Sequence, residues 1–303
     1  MDLGIALPHH GRYATPENIS RVAHEAEQMG YASLWVLERL IRPTRPLPGP
    51  SGRPNMMPES YANVYEPIET LTYAAAKTSR IKLGTSVMDV FFHVPVVLAR
   101  RLATLDQLSG GRVIAGLGQG GNPEEFATAN LSFKRRGNGF EEYLAAVRAV
   151  WGPDPVSFSG RFYQIAESQV GPKPVQKGGP PIFIGGNAPA AIERAGRIAD
   201  GFNPTSTLDW ATFEQNLNRF RSAAKAAGRN PNGLPIIVRS NTLMSDKVTP
   251  ETRVLNGTVE KVREDLARME SLKINEVFFD FNSGQMPVDD QLRLIERLRK
   301  RLP

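Results

Sequence analysis

The sequence predicts a single (β/α)₈ barrel, the TIM-barrel fold of the α/β class, spanning residues 1–303. Short apolar runs rich in β-branched and aromatic residues alternate with amphipathic stretches of helical period along the chain. Eight such β-then-α units can be traced, and a closed parallel barrel needs that number. A length of 303 residues also suits one barrel domain.

In the first half of the chain, the predicted strands cover residues 3–7, 34–37, 81–88 and 112–117. The helix after the first strand has an N-cap at Thr15, proline at position 16 and its end at Gly30. Another helix ends at Gly110 and Gly111, just before the fourth strand. The buried stripes of these two helices are Ile19, Val22, Ala23, Ala26 and Met29, and Leu98, Leu102, Leu105 and Leu108.

The same alternation continues in the second half, where the predicted strands cover 182–184, 200–203, 235–243 and 277–281. Each is followed by residues with helical spacing: Ile192, Ala195 and Ile198; Trp210, Phe213, Leu217, Phe220 and Ala224; Val259, Val262, Leu266 and Met269; and Leu292, Ile295 and Leu298. The eighth unit therefore closes the barrel.

Two long stretches interrupt the alternation. Residues 42–66 are rich in Pro, Gly and Ser and follow the second strand, so we expect them on the active, C-terminal face of the barrel as a lid or substrate loop. A floppy insertion is the alternative for this stretch. Residues 152–179 contain an apparent hairpin at 156–165.

Composition excludes several classes of protein. The absence of cysteine excludes disulfides, thiolate metal sites and a cysteine nucleophile, and we predict no metal site. The formal charge of +6 comes from scattered basic residues, which favours a site for phosphates or carboxylates over nucleic-acid binding. Neither a signal peptide nor an apolar run of membrane-spanning length is found, so we expect a cytoplasmic protein without a membrane partner, and a homodimer by default.

A glycine-rich segment follows the fourth predicted strand and matches the G-x-G-x-x-G pattern of dinucleotide sites at 116–121. The match is weak, because the segment does not follow the first strand and no acidic residue ends a strand about 20 residues further on. We therefore reject an NAD site. Gly118 and Gly120 still indicate that a planar or bulky ligand lies against the backbone there.

A second glycine turn follows the fifth strand. Gly185, Gly186 and Asn187 precede a helix that opens near Pro189, and Arg194 lies in its first turns. Backbone N–H groups and the positive end of a helix dipole together favour phosphate binding. A tight βα turn without a ligand is the alternative.

Polar residues that follow strands one, two and three should converge on the active face of the barrel. They are His9 and His10, Glu38 and Arg39, and His93, whereas His24 lies within a helix and is interpreted as structural. A surface position without a catalytic role is the alternative for each histidine. Arg39 stays protonated and cannot act as a base. We expect Glu38 to orient Arg39, and His10 or His93 to donate a proton.

The chain resembles the luciferase-like monooxygenase superfamily over nearly its whole length. The strongest block comprises TSRIKLGTSV at 78–87, PVVLAR at 95–100, TLDQLSGGR at 104–112 and GLGQG at 116–120. A second comprises PKPVQ at 172–176, PPIFIGG at 180–186, AGR at 195–197 and ADGF at 199–202, and a third is NGTVEKV at 256–262.

The resemblance implies a barrel that holds coenzyme F420 or reduced FMN at its C-terminal face. LGTSV at 83–87 resembles the F420-dependent branch, which implies a bulge with a non-proline cis peptide at Ser86–Val87 behind the deazaflavin ring. It also implies that residues 185–187 form the phosphate turn. Two departures are Glu38–Arg39, where the branch often has an acid followed by histidine, and Gly121–Asn122, where some dehydrogenases have an acid.

These departures disfavour sugar-phosphate dehydrogenation and simple alcohol oxidation. The sequence as a whole predicts an oxidoreductase that transfers a hydride between F420 and a small organic substrate, in the direction of reduction of an electron-poor compound. An FMNH₂-dependent monooxygenase is one alternative, and a non-catalytic flavin-binding barrel is another.

Overall fold

The computed structural model describes residues 1–48, 54–137, 139–206, 209–245, 247–248 and 252–299. Within these residues, eight parallel strands form the barrel: β1 Asp2–Ala6, β2 Ser33–Val36, β3 Lys82–Thr85, β4 Val113–Gly118, β5 Ile182–Gly185, β6 Gly201–Asn203, β7 Ile237–Asn241 and β8 Glu276–Asp280. They pair in the order β6-β5-β4-β3-β2-β1-β8-β7. Isolated parallel bridges from Phe202 to Ile236 and from Thr205 to Arg239 connect the two outer strands. The predicted (β/α)₈ barrel is therefore confirmed.

Helices cover the outside of the barrel: α1 Pro16–Gln28, α2 Pro67–Ala75, α3 Pro95–Ser109, α4 Pro123–Thr128, α5 Phe140–Trp151, α6 Pro189–Ile198, α7 Trp210–Ala226, α8 Val259–Ser271 and α9 Val288–Arg299. Helix α1 begins as predicted, because the Thr15 side chain accepts the backbone N–H of Asn18 and proline occupies the first turn. No helix in the described ranges is long and apolar enough to cross a membrane.

Two hydrophobic clusters hold the barrel together. The larger one lies between the strands and the helices, and it buries most of the predicted helical stripes. Leu108 is an exception, because it lies in the last turn of α3 with 64% of its surface exposed, so its prediction as a buried position was wrong. The smaller one fills the barrel interior with Ala6, Trp35, Ile114, Phe183, Ile237 and Phe278. The rings of Trp35 and Phe278 stack with their centroids 4.6 Å apart, so the lower part of the barrel is packed and the open space lies above it.

The third strand differs from its prediction. Sequence pattern predicts a continuous strand over 81–88, whereas β3 ends at Thr85 and a short strand, Met88–Asp89, resumes beside Leu117 and Gly118 of β4. The peptide bond between Ser86 and Val87 is cis, as the resemblance predicts. An apolar run does not reveal where a strand changes partner, because the run remains buried on both sides of the break.

The two interruptions also contain structure. Strands Val156–Ser159 and Gln164–Ser168 pair antiparallel, which confirms the predicted hairpin. Within 42–66, Leu47–Pro48 pairs with Pro54–Asn55, and a 3₁₀ turn covers Glu59–Ala62. Residues 49–53 of that predicted lid lie outside the described residues.

Candidate active site

A two-part cleft opens at the C-terminal ends of the strands, as expected for a barrel of this type. The inner part has a volume of about 130 Å³ and is lined by Leu37, Glu38, Arg39, Ser86, Val87, Asp89, Gly185, Gly186, Asn203, Thr205 and Arg239. The outer part has a volume of about 480 Å³, and its lining includes residues 118–121, Arg136, Phe140, residues 184–188 and Arg194. Five residues line both parts: Arg39, Val87, Asp89, Gly185 and Gly186.

Val87 forms the floor where the two parts of the cleft meet. A Cβ atom on Gly118 would lie 2.5 Å from Val87 Cγ2, and one on Gly185 would lie 2.6 Å from Val87 Cγ1. Any side chain at these two strand ends would therefore displace Val87. Ser86 is fixed on the other side, because its hydroxyl donates to Asn203 Oδ1 at 2.6 Å and its carbonyl accepts from Arg239 at 3.0 Å.

The outer part has features of an anion cradle. Gly186 adopts φ +129°, a conformation that L side chains rarely adopt, and the helix that follows begins at Pro189 with no side-chain cap on its N-terminus. Buried Asn187 Oδ1 has no hydrogen-bond partner, and Arg194 Nε lies 3.4 Å from Glu141 without hydrogen-bond geometry. Free backbone N–H groups and a guanidinium can together bind a phosphate or a carboxylate.

Glu38 is fully engaged in hydrogen bonds. Its Oε2 accepts the backbone N–H of Asp89 at 2.7 Å, and its Oε1 lies 2.7 Å from His93 Nε2. Glu38 lines the inner cleft, whereas His93 is not among the residues that line either part. The structure therefore places His93 behind Glu38.

Arg39 pairs with Glu125 rather than with the adjacent Glu38 that we expected to orient it. The Arg39 guanidinium lies 3.3 Å from Glu125 Oε2, and the backbone N–H of Leu40 donates to Oε1 at 2.8 Å. Residues 38 and 39 follow the end of β2 at Val36, and each has a separate partner, His93 for Glu38 and Glu125 for Arg39. Arg39 also lies 5.1 Å from the centre of the Tyr61 ring.

His10 lies one layer behind the cleft. It is buried beside Tyr61, with ring centroids 5.2 Å apart, and neither ring nitrogen has a hydrogen-bond partner within the described chain. Burial lowers the pKa of His10 to about 4, although Asp280, 4.0 Å away, opposes the shift. His10 is therefore neutral at neutral pH.

The neighbouring ion pair and histidine are also fixed. Arg239 pairs with Asp280 at 2.7 Å. Burial would raise the pKa of Asp280, but Arg239 and the two histidines hold it below its ordinary value. His9 Nδ1 lies 2.8 Å from the Leu7 carbonyl, and Nε2 accepts the N–H of Leu37 at 2.9 Å, so these contacts select the neutral Nδ1–H tautomer.

Asp89 is one of the cleft residues that sequence reasoning missed, as are Asn203 and Arg239. It is 5% exposed and lines both parts of the cleft. Burial raises the pKa of Asp89 to about 7, with Glu38 and Glu125 adding to the shift while Arg39 and the N–H of Gly120 oppose it. The sequence feature that could have indicated Asp89 is its position as a lone acidic residue within the otherwise apolar run 87–92.

The described part of the predicted lid packs against residues that lie beside and behind the cleft. Tyr61 packs against His10 and Arg39, Tyr65 donates its backbone N–H to the carbonyl of His9 at 2.8 Å, and Met57 Sδ lies 3.6 Å from the side-chain amide of Asn122. Its function as a lid stays a prediction.

Comparisons with known proteins agree with this architecture. The family model described as "Luciferase-like monooxygenase" matches residues 1–250. An uncharacterised protein of Mycobacterium tuberculosis is 30% identical over 307 residues, covering 100% of this chain and 99% of that protein. An F420-dependent glucose-6-phosphate dehydrogenase of Amycolatopsis mediterranei is 31% identical over 208 residues, covering 67% of this chain and 57% of that protein.

A solved structure shares the fold. The monooxygenase of Streptomyces bottropensis superposes with a TM-score of 0.79 at 23% sequence identity, covering 98% of this chain and 97% of that protein. At this identity the likeness concerns the fold and does not extend to cofactor or substrate.

Proposed function

This chain is an enzyme of the luciferase-like monooxygenase family, and we propose that it transfers a hydride between coenzyme F420 and a small organic substrate. The observation that carries the proposal is the continuity of the cleft. A narrow inner part floored by Val87 opens directly into an outer part with an anion cradle. This arrangement fits a flat ring attached to a phosphate-bearing tail.

The unpaired polar atoms of the outer part indicate whether it can hold the phosphate-bearing tail of F420. Arg194 Nε, a hydrogen-bond donor, is buried without a hydrogen-bond partner, and the N-terminus of α6 has no side-chain cap. Buried polar groups are normally satisfied in proteins, so such groups indicate a ligand. We propose that Gly185, Gly186 and Asn187 bind the phosphate through backbone N–H groups, with Arg194 supplying charge.

Val87, together with Ser86, would support the back of the ring, and the glycines at the end of β4 would admit it. Gly118 keeps Val87 in place, and Gly120 turns the chain at φ +70° beside the cleft. Bound F420 supplies a carbon centre that gives or takes a hydride. The similarity of 31% to an F420-dependent dehydrogenase favours this cofactor over FMN.

The polar side chains of the inner part would orient the substrate. We propose that Arg39 holds a carbonyl or carboxylate oxygen, since its buried Nε has no hydrogen-bond partner. Glu38 and His93 would keep the Asp89 backbone in position through their hydrogen bonds. His10 would support Tyr61 and Arg39 from behind. The guanidinium groups of Arg39 and Arg239 line the inner part and favour reduction of an electron-poor substrate, because negative charge develops on its oxygen.

The chief alternative is a monooxygenase that uses reduced FMN and oxygen. The Streptomyces monooxygenase has a similar fold, so this alternative function stays compatible with the barrel, which supports that chemistry as well. A barrel that binds flavin without catalysis is the remaining alternative, and turnover of any substrate excludes it.

Cofactor binding tests the proposal directly. The purified protein is mixed under anaerobic conditions with F420, FMN and FAD in turn, and binding is followed by the fluorescence of each cofactor. We expect F420 to bind in preference to the two flavins. Tight binding of FMN with no response to F420 would overturn the proposal and favour the monooxygenase.

We further propose that the enzyme is a cytoplasmic homodimer, as most soluble oligomers are symmetric and dimers are the commonest. Light scattering of the purified protein would measure its mass in solution. A mass equal to that of one 33.4 kDa chain would refute the dimer.

A further inference from the structure

Asp89 lies where the inner and outer parts of the cleft meet. Its short strand pairs with Leu117 and Gly118 of β4, which brings the carboxylate against the glycine turn that follows. Asp89 Oδ2 lies 3.2 Å from the position that a Cβ atom would occupy on Gly120, and the N–H of Gly120 donates to the carboxylate. The side chain is therefore buried at the junction, beside the space where ring and substrate would meet.

The other carboxylates around the cleft already have strong partners. Glu38 uses both oxygens, one on His93 and one on the backbone of Asp89. Glu125 pairs with Arg39, and Asp280 pairs with Arg239. Among the described residues, no ion pair of Asp89 is found. It is thus the carboxyl group that is free to change its protonation state without breaking an ion pair.

The two histidines that the sequence suggested as proton donors lie elsewhere. His10 and His93 are not among the residues that line either part of the cleft. His10 lies behind Tyr61, and His93 is occupied by Glu38. A general acid must come within hydrogen-bond reach of the atom that it protonates, so Asp89 is better placed than either histidine.

We propose that Asp89 is the catalytic acid of this cleft and delivers the proton that accompanies hydride transfer, an inference that rests on the proposed function. In the direction of reduction, a hydride with its two electrons would pass from reduced F420 to a substrate carbon, so that a C–H bond of the coenzyme would break and a C–H bond of the substrate would form. The O–H bond of Asp89 breaks, and its proton goes to the substrate's developing anion. The Asp89 carboxylate would then take up a proton from solvent, which balances the one proton that reduced F420 gives up in addition to the hydride.

The electrostatics agree with this role. The raised pKa of about 7 lets Asp89 hold a proton near neutral pH and still release it. The charged groups that face it are Glu38 and Arg39 after β2 and Glu125 on α4. The two carboxylates favour the protonated form and the guanidinium opposes it.

The titration of Asp89 is measured first, in the cofactor-free protein. Aspartate labelled with ¹³C at the carboxyl carbon is followed by NMR across pH, and Asp89→Asn identifies the resonance. We expect the Asp89 resonance to titrate near pH 7, whereas ordinary aspartates titrate at about pH 4. Titration of Asp89 in that ordinary range would overturn the proposal, whether or not F420 binds.

Turnover is measured second, with F420H₂ and 2-cyclohexen-1-one as an electron-poor probe. We expect Asp89→Asn to bind F420 as the wild type does but to lose about 10²–10⁴-fold in rate. The limb of the pH profile that falls above pH 7 should also disappear. Glu124→Gln is the matched control, because Glu124 lies on the same side of the cleft but pairs with Arg45 at the surface.

The outcomes separate the two proposals. If wild-type protein binds no F420, the proposed function fails, and the NMR titration still reports on Asp89. If F420 binds and Asp89→Asn turns over the probe at the rate of the wild type, the role of Asp89 is refuted.

Discussion

The ion pair between Arg39 and Glu125 joins the cleft to helix α4, and its removal should destabilise the protein as well as the site. Glu125 is completely buried, while the Arg39 side chain is 28% exposed. Replacing Arg39 by methionine retains much of the apolar stem and removes the charge. The Glu125 carboxylate would keep the N–H of Leu40 but lose its counter-charge.

The magnitude follows from distance and exposure. At the observed separation of 3.3 Å, two unit charges attract by about 5 kcal/mol at an effective dielectric constant of about 20. Water at the exposed side of Arg39 reduces this value. Exposed pairs contribute about 0–1 kcal/mol, and breaking a fully buried pair costs about 3–5 kcal/mol. We therefore expect Arg39→Met to lower the free energy of unfolding by about 2–3 kcal/mol.

A double-mutant cycle with Glu125→Gln measures the interaction itself. Urea denaturation of the wild type, both single variants and the double variant gives the coupling energy, which we expect to be about 1–2 kcal/mol. The double variant should then be more stable than the sum of the single losses implies. A coupling energy below about 0.5 kcal/mol would refute the reasoning. The rates of Arg39 variants must be interpreted together with their measured stability, because unfolding alone lowers the rate.

Two further predictions concern the anion cradle and the buried histidines. Gly186→Val should weaken F420 binding at least tenfold in a fluorescence titration, because a side chain is disfavoured at φ +129°. Gly178→Val is the control: this glycine also has a positive φ, +84°, but it lies away from the cleft, so the variant should bind F420 normally. The free energy of unfolding should fall as pH drops from about 6.5 toward 5, because the buried His9 and His10 have folded-state pKa values of about 3 and about 4, so the unfolded chain binds more protons. The raised pKa of Asp89 acts in the opposite sense, because the folded protein then binds a proton that the unfolded chain does not. Urea denaturation near pH 5.5 should therefore show a net slope of the free energy of unfolding of about 1.4 kcal/mol per pH unit, and Asp89→Asn should about double this slope. A flat wild-type profile would contradict this prediction.

The barrel and one side of the cleft could be predicted from local pattern. Strand and helix periods are local properties of the sequence, and proline and glycine mark the ends of elements. The turn at 185–187 could be located because a buried strand, two glycines and a helix start lie next to one another in the chain. Resemblance added the bulge at Ser86–Val87, which no periodicity indicates.

The charge pairing could not be predicted, because it joins distant segments. Arg39 and Glu125 are 86 residues apart, and Glu38 and His93 are 55 apart. Sequence proximity suggested a pair between residues 38 and 39, whereas each of them pairs with a residue that is distant in the chain. Asp89 was also not predicted as a site residue, because the local pattern did not show where its strand continues. The predicted third strand ended at residue 88, one position before the acid that the resumed strand carries into the cleft.

The position of Val87 connects these features to the choice of ligand. Its side chain occupies the space that Cβ atoms on Gly118 and Gly185 would need, so three strand ends jointly determine the floor of the cleft. A side chain at either glycine would push Val87 upward into an inner part of only about 130 Å³. That volume suits the edge of a ring and a small substrate, and the larger outer part suits the tail. We therefore expect a larger side chain at Gly118 or Gly185 to reduce ring binding through the displacement of Val87, separately from any contact that the Gly185 backbone makes with the phosphate.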